Sequence, residues 1–577
     1  MNKIEALENA LDIGWAQATN IRPDPVRRLT GPGMLWDRAG AVVDVYFEDI
    51  DTAQVLALWN SHARQVLDAL DWQAETATSR AFEGGATLAI SAPQDQLYTA
   101  VFIVQTVWHY CAADLLGATP QAFEQMIGNL KTVMAQAANP ALMTLINAAT
   151  AHDVDILIDD DEISIGHGAG SQTWDMANLP TVGTVDWAKL HDVPVAFITG
   201  TNGKTTTTRL CAAIASAAGH VVGQTSTDMV QVGGDILDRG DYSGPGGARM
   251  VLRDKSVQIA CLEVARGGIL RRGLATRRAQ VAVVTNVAND HLGDYGITTL
   301  AEMAQAKFAV ARTLSAKGVL VLNADDPNLV EASKDVTAKI CWFSLDPNAP
   351  QITHARALGQ PCAYLEHGGL VVCSGAAEPW SIALKDVPIT LAGAAKHNSR
   401  NALAAICACT ALGIAPEIIR AGLSSFVSDP KNNPGRFNEF SYNGARVIVD
   451  FAHNAHSIAA VCDATASMSA KRRFLMISQP GDHSDQVIAE VTATALQFGP
   501  DLIVTAEIAD YLRGRKLGET PKLIKGFALA AGFPPSQIHS ASSPSLGVKS
   551  ILEQLQPDDL ALLLVLSDRD AVFQMLQ

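Results

Sequence analysis

The stretch Ala196–Leu210, AFITGTNGKTTTTRL, decides the fold of this 577-residue chain. Val195 to Thr199 is a short apolar, β-branched run that reads as a buried strand. Gly200-Thr201-Asn202-Gly203 is a tight loop, and Thr206 to Ala218 has helix composition, ended by Gly219. A strand, a glycine loop and a helix N-terminus make a phosphate cradle. Glycine lets backbone N–H groups approach an anion with no Cβ in the way. Lys204 would reach the β- and γ-phosphates, and the Thr205 hydroxyl would ligate Mg²⁺. The match is to the short form GTNGKT, since the first glycine of the longer phosphate-loop pattern falls on Ile198. A bare glycine loop can be only a turn; the flanking strand and helix favour the cradle.

Working outward, residues 185–428 alternate strand and helix patterns, which favours a mostly parallel sheet. The strand Ile259 to Leu262 ends at Glu263, followed by Ala265-Arg266-Gly267-Gly268. A carboxylate at a parallel strand's end beside a phosphate loop is placed to hold Mg²⁺. Val281 to Thr285 runs into Asn286-Val287-Ala288-Asn289-Asp290-His291, so His291 also stands at a strand exit. A lone histidine is usually structural, but this position favours a functional one. Ile297 to Ala316 reads as a helix whose Lys307 would ordinarily be a solvated lysine. Asn398 and Asn401 lie three apart at a helix start and share a face. They could meet a purine edge, or Asn398 could simply cap.

From about residue 430 a Pro- and Asn-rich linker (Asp429–Arg436) leads into a second, smaller α/β domain, with strands at 447–450, 474–478, 502–505 and 560–566. Residues 1–175 differ. They suggest a half-buried strand at 41–47, helices at 52–70 and 96–116, and an acidic run, Asp159 to Glu162. Contiguous carboxylates diverge, so a solvated turn is favoured over a metal site. Pro180 and Gly183 suggest a linker.

Composition limits the function classes. Hydrophobic residues make up 48% and charged residues 18%, enough apolar content for a sizeable core. A net charge of −16 argues against non-specific nucleic-acid binding. Nine scattered cysteines without a CxxC pair read as buried thiols of a reducing compartment, and a cytoplasmic location is expected. No signal-peptide pattern and no uninterrupted apolar run of about 18 residues is present, so no membrane span is expected.

GTNGKTTTT (200–208), Glu263, NVANDHLG (286–293), Lys307, NADD (323–326), KHNSRNALAA (396–405), GRF (435–437) and DFAHN (450–454) occur in the order found in the Mur ligase family, which this chain resembles over residues 185–577. LEVARGGILRRGL (262–274), GDYSGPGGARMVL (240–252) and DYLRGRKLGE (510–519) look more like the Mur-ligase half of the cyanophycin synthetases than like the cell-wall members. RRLTGPGMLW (27–36) more weakly resembles their N-terminal domain, but the chain leaves no room for their ATP-grasp domain, so one ligase site is expected rather than two.

The resemblance implies an α/β, three-domain Mur ligase-like architecture. A central P-loop parallel-sheet domain (185–428) would be joined by a smaller C-terminal α/β domain (430–577) and an α+β N-terminal domain (1–175). It implies ATP and Mg²⁺, and a carboxylate activated as an acyl phosphate before an amine captures it. Gly200, Thr201, Asn202, Gly203, Lys204, Thr205 and Thr206 would hold phosphate. Thr205, Glu263 and His291 would hold metal, and Lys307 matches a lysine that many members carry as a carbamate. Asn398 and Asn401 match the adenine side; Arg436 and Asp450 match residues that reach the nucleotide on closure. Arg266, His453 and Asn454 are substrate-side candidates. Arg513 and Arg515 could bind a carboxylate or phosphate, or lie in a solvated loop. Substrates would be an acidic peptide and an amino acid such as arginine. A homo-oligomer is expected, with neither nucleic acid nor membrane as partner. The competing readings are a polyglutamate-type ligase and a non-catalytic subunit serving a partner enzyme.

Overall fold

The computed structural model describes residues 18–290, 292–375 and 377–577. An N-terminal five-stranded antiparallel sheet is ordered Ile21–Pro23, Gly40–Phe47, Gly85–Ser91, Ala77–Phe82, with Arg27–Leu29 also paired to Gly40–Phe47. The helices Thr52–Ala69 and Leu97–Leu116 cover one face and bury Trp59 and Trp108 completely. The strand expected to be half-buried is buried on both faces, because Leu29, Leu35 and Trp36 cover the side away from the helices. Its one charged residue, Asp44, is 1% exposed and paired with Arg27 at 2.6 Å. Leu97–Leu116 lies in the one described segment long and apolar enough to cross a membrane. That segment's most apolar window is 72% buried inside the protein. Scattered polar residues break the run in sequence while the average stays apolar.

The central sheet has eleven strands. Val195–Thr199 lies between Ile259–Glu263 and Ala279–Val284, and the order continues through Leu314–Asn323 and Lys339–Ser344. All these neighbours pair in parallel. The strands Val222–Thr225 and Ile259–Glu263 lie to one side of Val195–Thr199 and the later strands Ala279–Val284 and Leu314–Asn323 to the other, so the chain connections part there and a crevice opens at the strands' carboxyl ends. The helix expected over 297–316 is only Leu300–Phe308 before a tighter turn and the strand Leu314–Asn323, and a Thr299/Glu302 capping box starts it.

The C-terminal sheet has six strands in the order Asn438–Tyr442, Ala445–Asp450, Leu560–Leu564, Arg473–Ser478, Leu502–Ala506, Ile538–Ala541. Only the first pair is antiparallel. The linker before it is not loose. Asn433 and Asn438 are fully buried, Asn438 Nδ2 donates to the carbonyls of Ser428 and Asn433 at 3.0 Å, and Asn433 Nδ2 donates to Ser428 Oγ at 3.1 Å. Side-chain amides satisfy a turn that the Pro and Gly residues leave without ladder bonds.

The acidic run at 159–162 also has partners. Arg253 binds Asp159 at 2.5 Å, and Arg28 and Tyr98 bind Asp160 at 2.7 and 2.6 Å. The carboxylates join the N-terminal sheet to the central one, and among the described residues they form no metal cluster. All nine cysteines are free, and eight are buried.

Candidate active site

The phosphate loop is built by two glycines with left-handed or extended positive φ. Gly200 has φ +147°, and a Cβ there would stand 1.9 Å from Thr285 Oγ1. Gly203, with φ +84°, caps the helix Lys204–Ala217, and its Cβ would fall 2.2 Å from Asn401 Oδ1. Asn286 braces the loop by accepting from Thr201 N and Asn202 N, both at 2.9 Å. Lys204 Nζ donates to the Thr201 carbonyl at 3.0 Å. Thr206 is buried in the helix's first turn, where backbone N–H groups lack helical partners.

Thr205 Oγ1 donates to Glu263 Oε2 at 2.8 Å. Glu263 is 2% exposed, and its Oε1 is buried with no hydrogen-bond partner among the described residues. Burial raises the carboxyl pKa above its ordinary value, while Lys204 and the Thr205 hydroxyl oppose the rise. A buried carboxylate with one idle oxygen, beside a hydroxyl and a phosphate loop, is an oxygen donor set that fits a hard divalent cation.

A cavity of about 430 Å³ opens here between the central and C-terminal domains. Lys204, Glu263, Asn401, Arg436, Asp450 and His453 are among the residues that line it. Asn398 and Asn401 also line it, but their amides are partly used: Asn401 Nδ2 donates to Asn398 Oδ1 at 3.1 Å, and Asn398 Nδ2 to the Ile389 carbonyl at 3.1 Å. Arg436 lies over the Phe451 ring at 4.5 Å. Asp450 accepts from the Phe437 and Ala452 amides, each at 2.7 Å. Burial pushes its carboxyl up to about 6 against the opposing pull of Arg436 and these amides.

The remaining candidates are placed differently. Lys307 is 3% exposed rather than solvated. Burial, then repulsion from Lys204, pulls its amine well below the ordinary lysine value, with Asp290 opposing and Arg266 adding to the fall. Arg266 pairs with Asp294 at 2.8 Å. His453 Nδ1 lies 3.0 Å from the Phe451 carbonyl, and its Nε2 lies 3.9 Å from Asp290 Oδ1. Asn454 does not line the cavity. It caps the helix Ala455–Ala466 and bonds Asn202, so its amide is spent on structure. Arg513 and Arg515 also lie off the cavity, but not in a free loop. Arg513 pairs with Asp482, while Arg515 binds Asp485 at 2.8 Å, Glu519 at 3.0 Å and the carbonyls of Gly481 and His483. Both arginines thus stitch the C-terminal domain together. His291 lies outside the described residues.

Two cleft residues were not singled out as site candidates. His456 reaches Asn202 Nδ2 at 2.9 Å, and Asp326 Oδ2 accepts from Val287 N at 2.6 Å. Asp326 stood in the NADD run and could have been singled out; His456 follows no pattern that marks it.

Fold and site together define a P-loop α/β protein whose phosphate loop is roofed by a separate α/β domain. Residues 198–409 match the Mur ligase middle domain, and residues 435–564 match the Mur ligase glutamate ligase domain. The chain belongs to the Mur ligase family. It is 40% identical over 336 residues to a cyanophycin synthetase of Synechocystis sp., covering 58% of this chain and 38% of that protein. It is 30% identical over 329 residues to UDP-N-acetylmuramate--L-alanine ligase of Xylella fastidiosa, covering 55% of this chain and 60% of the relative. The chain therefore spans well under half the length of the cyanophycin synthetase it matches. The solved structure of E. coli FolC in complex with DHPP and ADP shares 21% identity, with a TM-score of 0.48 over 66% of this chain and 87% of that one.

Proposed function

We propose that the protein is an ATP-dependent carboxylate–amine ligase that releases ADP and phosphate. The observation carrying this reading is Glu263: a buried carboxylate with an idle oxygen, bonded to Thr205 beside Lys204, in a cleft that a second domain closes. A substrate carboxylate oxygen would attack the γ-phosphorus as the bond to the ADP oxygen breaks. The amine nitrogen would then attack the acyl carbon, expelling phosphate and giving up a proton.

The site residues have distinct tasks in this reading. Lys204 and the amides that follow Gly203 would neutralise the phosphates. Thr205 and Glu263 would hold Mg²⁺, which supplies charge neutralisation when bound, with His291 as a further ligand. Arg436 and Asp450 would reach the nucleotide from the C-terminal domain, and Asn398 and Asn401 would flank its base. Burial lowers the Lys307 amine's affinity for a proton and so favours the neutral form, which would take up CO₂ and lose a proton to give the carbamate the family resemblance implies. Closure would keep water from the acyl phosphate.

The substrates would be an acidic peptide and an amino acid such as arginine, as the likeness to cyanophycin synthetase suggests. Cytoplasmic homo-oligomers are the working expectation. The test is phosphate release from Mg-ATP across pairs of acids and amines, including β-aspartyl peptides with arginine. Release needing one acid and one amine, and lost in Lys204→Ala, is the expected result. Mg-ATP binding without release for any pair would instead favour an auxiliary subunit.

A further inference from the structure

Asp228 stands beside the cleft at a meeting of three arginines that no motif marks. Its Oδ2 accepts from Arg209 Nη2 at 2.8 Å, and its Oδ1 accepts from Arg569 Nη1 at 2.7 Å. Arg209 belongs to the P-loop helix, four residues beyond Thr205 and on the same face, and is 2% exposed. Arg569 opens the terminal helix Arg569–Leu576 of the C-terminal domain. The third arginine, Arg436, comes from the linker between the two domains. It donates to Thr227 Oγ1 at 3.5 Å, lies over Phe451 and lines the cavity, and it makes no ion pair among the described residues. Three guanidiniums therefore converge on Asp228, and Arg436 also acts on the buried carboxylates of Asp450 and Glu263 without ion-pairing to any of them.

Each Asp228 oxygen already carries a guanidinium, one from each domain. Arg436, close enough for its charge to act on Asp228, is left facing the cavity. Held over Phe451 and, among the described residues, with no carboxylate at ion-pair distance, the Arg436 guanidinium is placed to receive an anion that enters the cavity.

We propose that Asp228 and Arg569 are positioning residues. Their ion pair clasps the C-terminal domain to the P-loop helix and, by occupying Asp228, keeps Arg436 available for the phosphates. The proposal rests on the ligase reading and adds residues that touch neither nucleotide nor acid. Removing Arg569 frees one Asp228 oxygen, and Arg436 then turns away from the cavity to take it.

The test compares Mg-ATP affinity by calorimetry in Arg569→Gln, Arg569→Lys and the double variant Asp228→Asn/Arg569→Gln, each with its thermal melt. Arg569→Gln is expected to weaken binding about tenfold, and Arg569→Lys, which keeps a cation on Asp228, by about threefold or less. The double variant should bind more tightly than Arg569→Gln alone, because the competing carboxylate is gone; a purely structural tie predicts the reverse. Equal or weaker binding by the double variant overturns the proposal. Should it not fold, a crystal structure of Arg569→Gln decides, with Arg436 on Asp228 in support and Arg436 still over Phe451 against. Failure of the unaltered chain to bind Mg-ATP would remove the ligase reading itself, whereas binding indifferent to Arg569 removes this proposal alone.

Discussion

Asn202 and Asn454 hold each other by two reciprocal amide hydrogen bonds, Asn202 Nδ2 to Asn454 Oδ1 at 3.2 Å and Asn454 Nδ2 to Asn202 Oδ1 at 3.0 Å. One residue sits in the phosphate loop; the other caps a helix of the C-terminal domain. The bond thus ties the anion cradle directly to the domain that closes over it. If the interface opens to admit ligand, as the ligase reading requires, side-chain bonds of this kind would couple closure to the loop's conformation.

Asn454 has two jobs that substitution can separate. Its Oδ1 also accepts from Ser457 N at 2.9 Å as the helix cap. Asn454→Ser should keep the cap and lose the tie to Asn202, leaving the melting temperature nearly unchanged while raising KM for ATP. Asn454→Ala should lose both, with about 1 kcal/mol of stability gone as well. Thermal melts beside steady-state kinetics check this; a KM unchanged in both variants would remove the tie from the closing motion.

Glu263→Gln tests the cation site with little change of shape. Gln keeps an oxygen for Thr205 but offers a neutral oxygen or an amide to the metal. Turnover should fall by about 100-fold or more, and the Mg²⁺ dependence of nucleotide binding should flatten. Because the carboxyl is buried and its ionised form is costly there, the variant should melt no lower than the parent. A lower melt with full turnover would mean that Glu263 is structural.

The phosphate loop could be read from sequence because its chemistry is local: two glycines, a lysine and a threonine within six positions, between a β-branched strand and a helix. Glu263 was visible for the same reason, as an acid closing an apolar run. The arginine hub was not. Asp228, Arg436 and Arg569 are separated by more than 100 residues at each step, and only the pairing of the two domains brings them together. Arg513 and Arg515 show the opposite case. The pattern LRGR advertises anion binding; Glu519 stands four residues beyond Arg515, but Asp482 and Asp485 lie 31 and 30 residues before their arginines, and no periodicity links those. Lys307 looked solvated because an alanine-rich stretch says nothing of which face is covered.

A pH effect on stability should come from Asp155, which directly precedes the strand Ile156–Ile158 of a three-stranded sheet and accepts a hydrogen bond from Arg277 N of the central domain. Burial raises its pKa, but His167 at 3.4 Å, the Thr276 hydroxyl and backbone amides outweigh that and hold it down to about 2. A folded value below the unfolded 3.8 means that the stabilisation is fully present above about pH 4 and is lost as pH falls through 2. The difference corresponds to about 2 kcal/mol. Urea unfolding of the parent and Asp155→Asn should show a gap of that order at pH 6 that narrows toward pH 3. A gap independent of pH would place the effect in packing rather than charge.

Asp450 should give the site its own pH dependence, opposite in origin. Burial lifts its carboxyl to about 6, so the folded protein holds this proton more tightly than the unfolded chain does. Its contribution to stability therefore falls as pH rises from about 4 to 6, and above 6 the carboxylate is ionised at a cost that Arg436 and the amides of Phe437, Phe451 and Ala452 offset. Ionised, it accepts from the Phe437 and Ala452 amides with both oxygens and fixes the start of the 451–454 turn, which carries His453 and Asn454. Protonation weakens those bonds and loosens the turn that closes on the phosphate loop. Nucleotide affinity should fall about tenfold as pH drops from 7 to 5. The nucleotide's own phosphate titrates in this range, so the readout is the difference between the parent and Asp450→Asn. The variant should bind more weakly at pH 7 and lose less on acidification. Parallel pH profiles for the two proteins would show that the Asp450 proton has no part in closing the site.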